Sequence, residues 1–136
     1  MQTTVENVQG NVPLAVMGLQ GKLDASNFES VIDKAKEIYA AGVQYLLLDM
    51  SELEFMSSSG LVAIHSIALL MRGEQPHDLE HGWGAFRAIA RDLESGVQTH
   101  LKLLNPQSKV ALTLEKTGLD NFFEIHTDRQ EAIDSF

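Results

Sequence analysis

The chain has 136 residues with a formal net charge of −9 and is 44% hydrophobic, which fits one ordinary globular domain with a real core. That acidity opposes nucleic-acid binding, which needs Lys and Arg to neutralise phosphates, and adsorption to anionic membranes. The absence of cysteine removes disulfides, zinc thiolate sites and thiol catalysis together. Met1 to Gly10 lacks the apolar stretch of a signal peptide, and the longest apolar run, around Leu61 to Met71, is too short to span a bilayer. The expected address is the cytoplasm, without membrane insertion.

Thr3 to Val8 and Val12 to Leu19 read as strands, and Gly10-Asn11 between them marks a hairpin. Gly21-Lys22-Leu23-Asp24 leads out of the second strand. Ser26 to Ala41 reads as a helix, with Ser26 and Glu29 as a capping box and Phe28, Val31, Ile32, Ala35, Ile38 and Tyr39 as one stripe. Gly42 supplies its left-handed stop. Val43 to Met50 is a strand without polar alternation, as expected of one buried on both faces. A loop is expected from Ser51 to Ser57-Ser58-Ser59-Gly60, where a second helix begins and runs to about Arg72.

Residues 73 to 85 break the pattern. Gly73, Pro76, Gly82 and Gly84 interrupt regular structure, and His77, Asp78, Glu80 and His81 make it polar. Helical spacing returns with Phe86, Ile89, Ala90 and Leu93, and Gly96 ends that helix. His100 to Leu104 is a short strand closed by Asn105-Pro106. Ser108 to Thr117 is a helix with Val110, Ala111 and Leu114 inward and Gly118 as its stop. Glu124 to His126 is a last strand, and Thr127 with Gln130 forms a capping box opening a final helix. The order is a hairpin followed by strand–helix crossovers. It predicts an α/β domain spanning residues 1–136, with a mixed sheet whose helices pack mostly on one face.

The segment Asp49-Met50-Ser51 through Ser57-Ser58-Ser59-Gly60 carries most of the functional information. It delivers three serines to the first turn of an apolar helix, where unpaired backbone N–H groups and the positive end of the dipole await either a hydroxyl or an anion. A phosphate on Ser58 would add a charge of about −1.5 to −2 without opposing the helix. From these residues alone, a plain N-cap is the simpler account.

Other constellations favour bland readings. His77 and His81, four apart, lack an obvious third metal ligand and are bracketed by Pro76 and Gly82, so a surface loop is expected and no metal. His65 is expected to pack rather than catalyse. Neither a Gly-x-Ser-x-Gly elbow nor a phosphate-binding Gly-rich loop followed by Lys is present. Trp83 and Phe86 fit an exposed anchor and a core contact equally well. The helix from Leu61 to Met71 is apolar on nearly every side, so one side covers the sheet while the other meets the extra helix or a partner.

The serine segment resembles the signature of the STAS family, the domain of bacterial anti-sigma factor antagonists, which shows a buried strand ending in Asp-x-Ser and then Asp-Ser-Ser-Gly opening a helix. Gly21-Lys22-Leu23-Asp24, Leu103-Leu104-Asn105-Pro106 and Leu114-Glu115-Lys116-Thr117-Gly118-Leu119-Asp120 resemble three further family elements, in order. The resemblance implies a binding regulator rather than an enzyme, with no cofactor. Its partners would be an anti-sigma factor that is also a serine kinase, whose binding is lost on phosphorylation, and a serine phosphatase that restores it. Carried over by position, the phosphoacceptor is Ser58. Asp24, Ser57, Ser58, Ser59, Gly60 and Val62 form the partner surface. The family's aspartate is Ser57 here, which makes Ser57 a second candidate acceptor. The insertion at 73–85, with its helix to about 96, is atypical and expected beside the partner face. Two other roles are compatible: a STAS-like subunit of a transport system or signalling scaffold without phosphorylation, and a small-molecule or nucleotide module using the serine-turn N–H groups.

Overall fold

The computed structural model describes residues 1–74, 89, 91–92 and 96–136. Strands β1 (Gln2–Gln9) and β2 (Pro13–Leu23) form the hairpin and are followed by helix α1 (Phe28–Ala40), β3 (Leu46–Met56) and α2 (Ser58–Met71). After the insertion come β4 (Leu101–Leu104), α3 (Ser108–Thr117), α4 (Leu119–Phe122), β5 (Ile125–His126) and α5 (Arg129–Asp134). The sheet runs β1-β2-β3-β4-β5, antiparallel between β1 and β2 and parallel elsewhere.

The mixed sheet and the placement of the helices are as the sequence predicts. One face of the sheet, with Met17, Leu19, Leu46, Leu48 and Leu103, shares a core with Val31 and Ala35 of α1, Ile64 and Ile67 of α2, Val110 and Leu114 of α3 and Phe122 of α4. The other face is covered over part of its area by α5, whose Ala132 and Ile133 pack on Leu14, Val16, Leu47 and Leu104. Leu46, Leu47 and Leu48 are fully buried, so β3 has apolar neighbours on both sides. Lys102 is buried on this second side. Its ammonium donates to the Ser135 carbonyl (2.8 Å) and hydroxyl (3.0 Å), pairs with Glu124 at 3.0 Å and lies over the Phe136 ring. Burial raises the Glu124 pKa, but the Lys102 and His126 contacts outweigh it and hold the carboxyl below its usual range.

Several local expectations are corrected. β3 does not end at Ser51: it continues to Met56, and β2 continues to Leu23 beside it. Two bulges in β3 explain why this stretch reads as a loop. Gly18 and Gln20 of β2 face Asp49 and Glu52, and Gly21 and Lys22 face Leu53 and Phe55, so β3 carries an extra residue at each break. The buried residues of this stretch therefore fall at Met50, Leu53 and Met56, three apart rather than two. The N-cap of α1 is Asn27, not Ser26: the Ser26 hydroxyl donates to Asp24, and Asn27 makes no side-chain cap bond because its Oδ1 accepts from the Asp24 N–H. The cap of α5 is Asp128, which accepts from the Glu131 N–H at 3.0 Å, not Thr127. The four-residue α4 is unanticipated. Gly42 and Gly118 do adopt the left-handed conformation expected after α1 and α3.

Of the insertion, Ile89, Arg91 and Asp92 are described and helical, and Ile89 joins the main core. His77, His81, Trp83, Phe86 and the 73–85 turns beyond Glu74 lie outside the described residues.

The helix-start site

The serine turn is built by the ends of two neighbouring strands. Leu23 and Met56 are register partners at the ends of β2 and β3, and the Ser57 N–H donates to the Leu23 carbonyl at 2.9 Å. Asp24 and Ser57, one residue further along each strand, are therefore brought to the same edge of the fold. Both leave the sheet under local control. Asp24 accepts from the Ser26 hydroxyl (2.5 Å) and N–H (2.9 Å), and Asn27 closes the turn by accepting from the Asp24 N–H and donating to the Lys22 carbonyl. The two bonds from Ser26 hold the Asp24 carboxyl below its usual pKa, so it is a charge at any physiological pH. Asp49 and Ser51 repeat this pattern, with Asp49 accepting from the Ser51 hydroxyl (2.6 Å) and N–H (3.0 Å) at the first bulge. Gln107, ahead of α3, donates to the Ser51 carbonyl at 2.8 Å. The Asp-x-Ser motif is thus a bending device in the strand that leads to the serines.

The three serines are not equivalent. Ser57 is the N-cap of α2: its backbone is extended, its hydroxyl accepts from the Gly60 N–H at 3.4 Å, and its carbonyl accepts from the Leu61 N–H. Ser58 occupies the first helical position and is exposed, whereas Ser59 is half-buried. Gly60 and Val62 are buried, Val62 within the main core. Val62, expected on the partner surface, packs in the main core with 7% of its surface exposed. A Cβ on Gly60 would lie 2.5 Å from Met56 Cγ and 3.1 Å from Leu23 Cγ, so glycine is required for α2 to approach the paired strand ends. Exposed Phe55, next to Met56, adds an aromatic ring close to this turn that sequence reasoning passed over when it read the segment as a loop.

The remaining sides of α2 are accounted for. Residues Gly60 to Ala68 are buried throughout. His65 is 1% exposed and its Nε2 lies 2.7 Å from an Asp92 carboxylate oxygen. Arg72, at the end of α2, binds the same carboxylate at 3.2 and 3.4 Å, Gln98 at 3.0 Å and Glu74 at 2.6 Å. Asp92 therefore ties the described part of the following helix to α2 at His65 and Arg72. Burial lowers the His65 pKa, and the Asp92 carboxylate partly offsets this. His65 is packed, as expected.

On the α5 side of the sheet, beyond the part that α5 covers, a cavity of about 220 Å³ is lined by Thr4, Gly18, Gln20, Asp49, Ser51 and Glu52. It lies on the opposite side of the sheet from the serine turn. Among the described residues, no cluster of His, Cys, Asp or Glu is arranged to hold a metal, and no helix is long and apolar enough to cross a membrane.

A strand bulged at Asp-x-Ser, a serine cap and a glycine-dependent helix start within this mixed sheet are the features of a STAS domain, and the model of that family matches residues 4–74, just over half of the chain. The chain belongs to the STAS domain family. Among solved structures, it is similar to a Thermotoga maritima protein assigned as an anti-sigma factor antagonist, at 18% identity over 97% of this chain and 92% of that one, with a TM-score of 0.70. It is also similar to an anti-sigma factor antagonist from Mycobacterium paratuberculosis, at 19% identity over 96% and 89%, with a TM-score of 0.65. A third similar structure is the Bacillus cell fate determinant SpoIIAA in its phosphorylated form, at 21% identity over 98% and 97%, with a TM-score of 0.58. At these identities the likeness is one of fold. No curated protein matches the sequence.

Proposed function

We propose that this protein is a cytoplasmic binding regulator rather than an enzyme, an anti-sigma factor antagonist switched by phosphorylation of Ser58. The observation that carries this reading is the division of labour between adjacent serines: Ser57 caps α2, while Ser58 stands exposed at its first turn. A cap hydroxyl already accepting a backbone N–H is the poorer acceptor of a phosphoryl group, which favours Ser58 over Ser57. A phosphate on Ser58 meets the positive end of α2, so it changes the surface charge without opposing the helix. Asp24, ionised at the neighbouring strand end, belongs to the same rim. The partner is an anti-sigma factor with serine kinase activity, and a phosphatase resets the switch. The similarity in fold to SpoIIAA, which has been solved in unphosphorylated and phosphorylated forms, supports this reading.

Paired baits test it. Wild-type protein and Ser58→Asp are used for capture from native lysate and read by mass spectrometry. A kinase-like anti-sigma factor is expected on the wild-type bait and depleted at least about tenfold on Ser58→Asp, equivalent to about 1.4 kcal/mol. Ser58→Ala is expected to bind as wild type and to resist phosphorylation. The two variants are expected to melt close to wild type, because a carboxylate is tolerated at a helix start. Equal capture of that partner by wild type and Ser58→Asp overturns the switch.

A further inference from the structure

We infer that Arg129 to Phe136 form a strap that lifts off the sheet as a unit while the rest of the domain stays folded, and that its opening uncovers an apolar face. The strap is joined to β5 through Thr127 and Asp128, and its helix has six residues, too few to persist in water without packing. Its apolar seat is small. Ala132 and Ile133 are the buried residues of α5, and with Leu14, Val16, Leu47 and Leu104 they form a cluster separate from the core beneath α1 and α2. Removing the strap therefore takes nothing out of that main core. Segments with few apolar contacts of their own open at lower free energy than a core does.

What holds the strap is polar and specific. Lys102 Nζ donates to the Ser135 carbonyl and hydroxyl, and Asn11 Nδ2 donates to the Asp134 carbonyl at 2.9 Å. The Arg129–Glu6 pair at 2.6 Å is exposed and adds little. Gly10 is the seat of Ile133: a Cβ there would stand 2.9 Å from Ile133 Cγ2 and 3.2 Å from the Ile133 carbonyl oxygen. Gly10 does not adopt the left-handed conformation, so the approach of the strap, rather than the turn, calls for glycine. Lys102 acts in both directions. With the strap closed, its ammonium is out of water and held by Ser135, Glu124 and the Phe136 ring. With the strap open it regains water, which a leucine in its place would not do. Burial of this charge opposes closure while its hydrogen bonds favour it. Opening bares Leu14, Val16, Leu47 and Leu104, all buried in the closed form, on the side of the sheet opposite the serine turn.

Hydrogen exchange of the full chain, followed by NMR below the urea transition, tests this. The Ala132 and Ser135 amides are bonded to the Asp128 and Glu131 carbonyls, and the Leu46 amide to the His100 carbonyl. Ala132 and Ser135 are expected to exchange about 100-fold or more faster than Leu46. Val31→Ala weakens the main core in the open and closed forms alike. It is expected to speed Leu46 exchange about tenfold or more and to leave Ala132 and Ser135 near their wild-type rates. Gly10→Ala acts on the seat of the strap. It is expected to speed Ala132 and Ser135 about tenfold or more and to raise binding of the apolar-surface dye anilinonaphthalene sulfonate. A strap that leaves only when the whole domain unfolds would put all three amides at one rate and give them one response to Val31→Ala. Either result, or no gain in dye binding by Gly10→Ala, overturns the proposal.

Discussion

Gly60→Val is expected to destabilise the fold by about 3 kcal/mol, the upper range for overpacking a filled site. Even the first added carbon would stand 2.5 Å from Met56 Cγ and 3.1 Å from Leu23 Cγ. Neither side chain has room to yield: Leu23 is fully buried and Met56 nearly so. The gain in helix propensity on replacing glycine is less than about 1 kcal/mol and does not offset the clash. At roughly 4 °C per kcal/mol for a domain of this size, the melting midpoint should fall by about 12 °C. Chemical denaturation of the single variants and of Gly60→Val with Met56→Ala checks the cause. If the clash is with Met56, the double variant is less destabilised than the sum of the two single changes. Additive losses would show that the damage lies elsewhere, at Leu23 or in the backbone of the turn.

The second large effect belongs to the charged contact between α2 and the extra helix. Asp92→Ala removes the carboxylate that joins His65 to Arg72, and we expect a loss of about 2–3 kcal/mol, because two groups lose a charged partner in a mostly desolvated place. Arg72 keeps Gln98 and Glu74, which limits the cost. The same contact sets an acid limit. The folded His65 pKa is lowered from an ordinary value of 6.5, so in the window below that value the unfolded chain binds more protons than the folded one. Stability is therefore full above about pH 6.5, falls as pH drops through the window, and levels off in this respect below the folded pKa. Removing the carboxylate lowers that folded pKa further, so Asp92→Ala should lose more stability on acidification than wild type, and His65→Gln should lose less. Asp24 and Glu124, also lowered, act only at pH below their ordinary values of 3.8 and 4.5, a separate window. Urea midpoints measured from pH 8 to about pH 5 separate the two groups; equal slopes in wild type and His65→Gln would refute the assignment to His65.

The sequence carried the fold well where apolar period and helix stops were regular. The hairpin, α1, α2 and α3 stand where spacing and the terminal glycines put them. It failed where two bulges reset the period of β3: Met50, Leu53 and Met56 recur at three, which no flat strand shows, so a continuous strand read as a loop. Cap assignments slipped by one residue at α1 and α5 because several residues there can bond a free N–H, and geometry chooses between them. At the serine turn, the residue types announced a helix start. They did not tell the capping serine from the exposed one, nor disclose that Val62 faces the core. The Asp92 contact was out of reach, since it joins α2 to a residue twenty or more positions away.

The length of α2 keeps its two ends apart. Its 14 residues separate the serine turn from the end of the helix by about 20 Å. Beyond that far end the chain returns at Asp92, which meets α2 at His65 and Arg72. Substitutions that far apart are energetically independent as a rule. A change made at the Arg72 end of the helix is therefore expected to leave the serine turn, and what it demands of its serines and glycine, as they are.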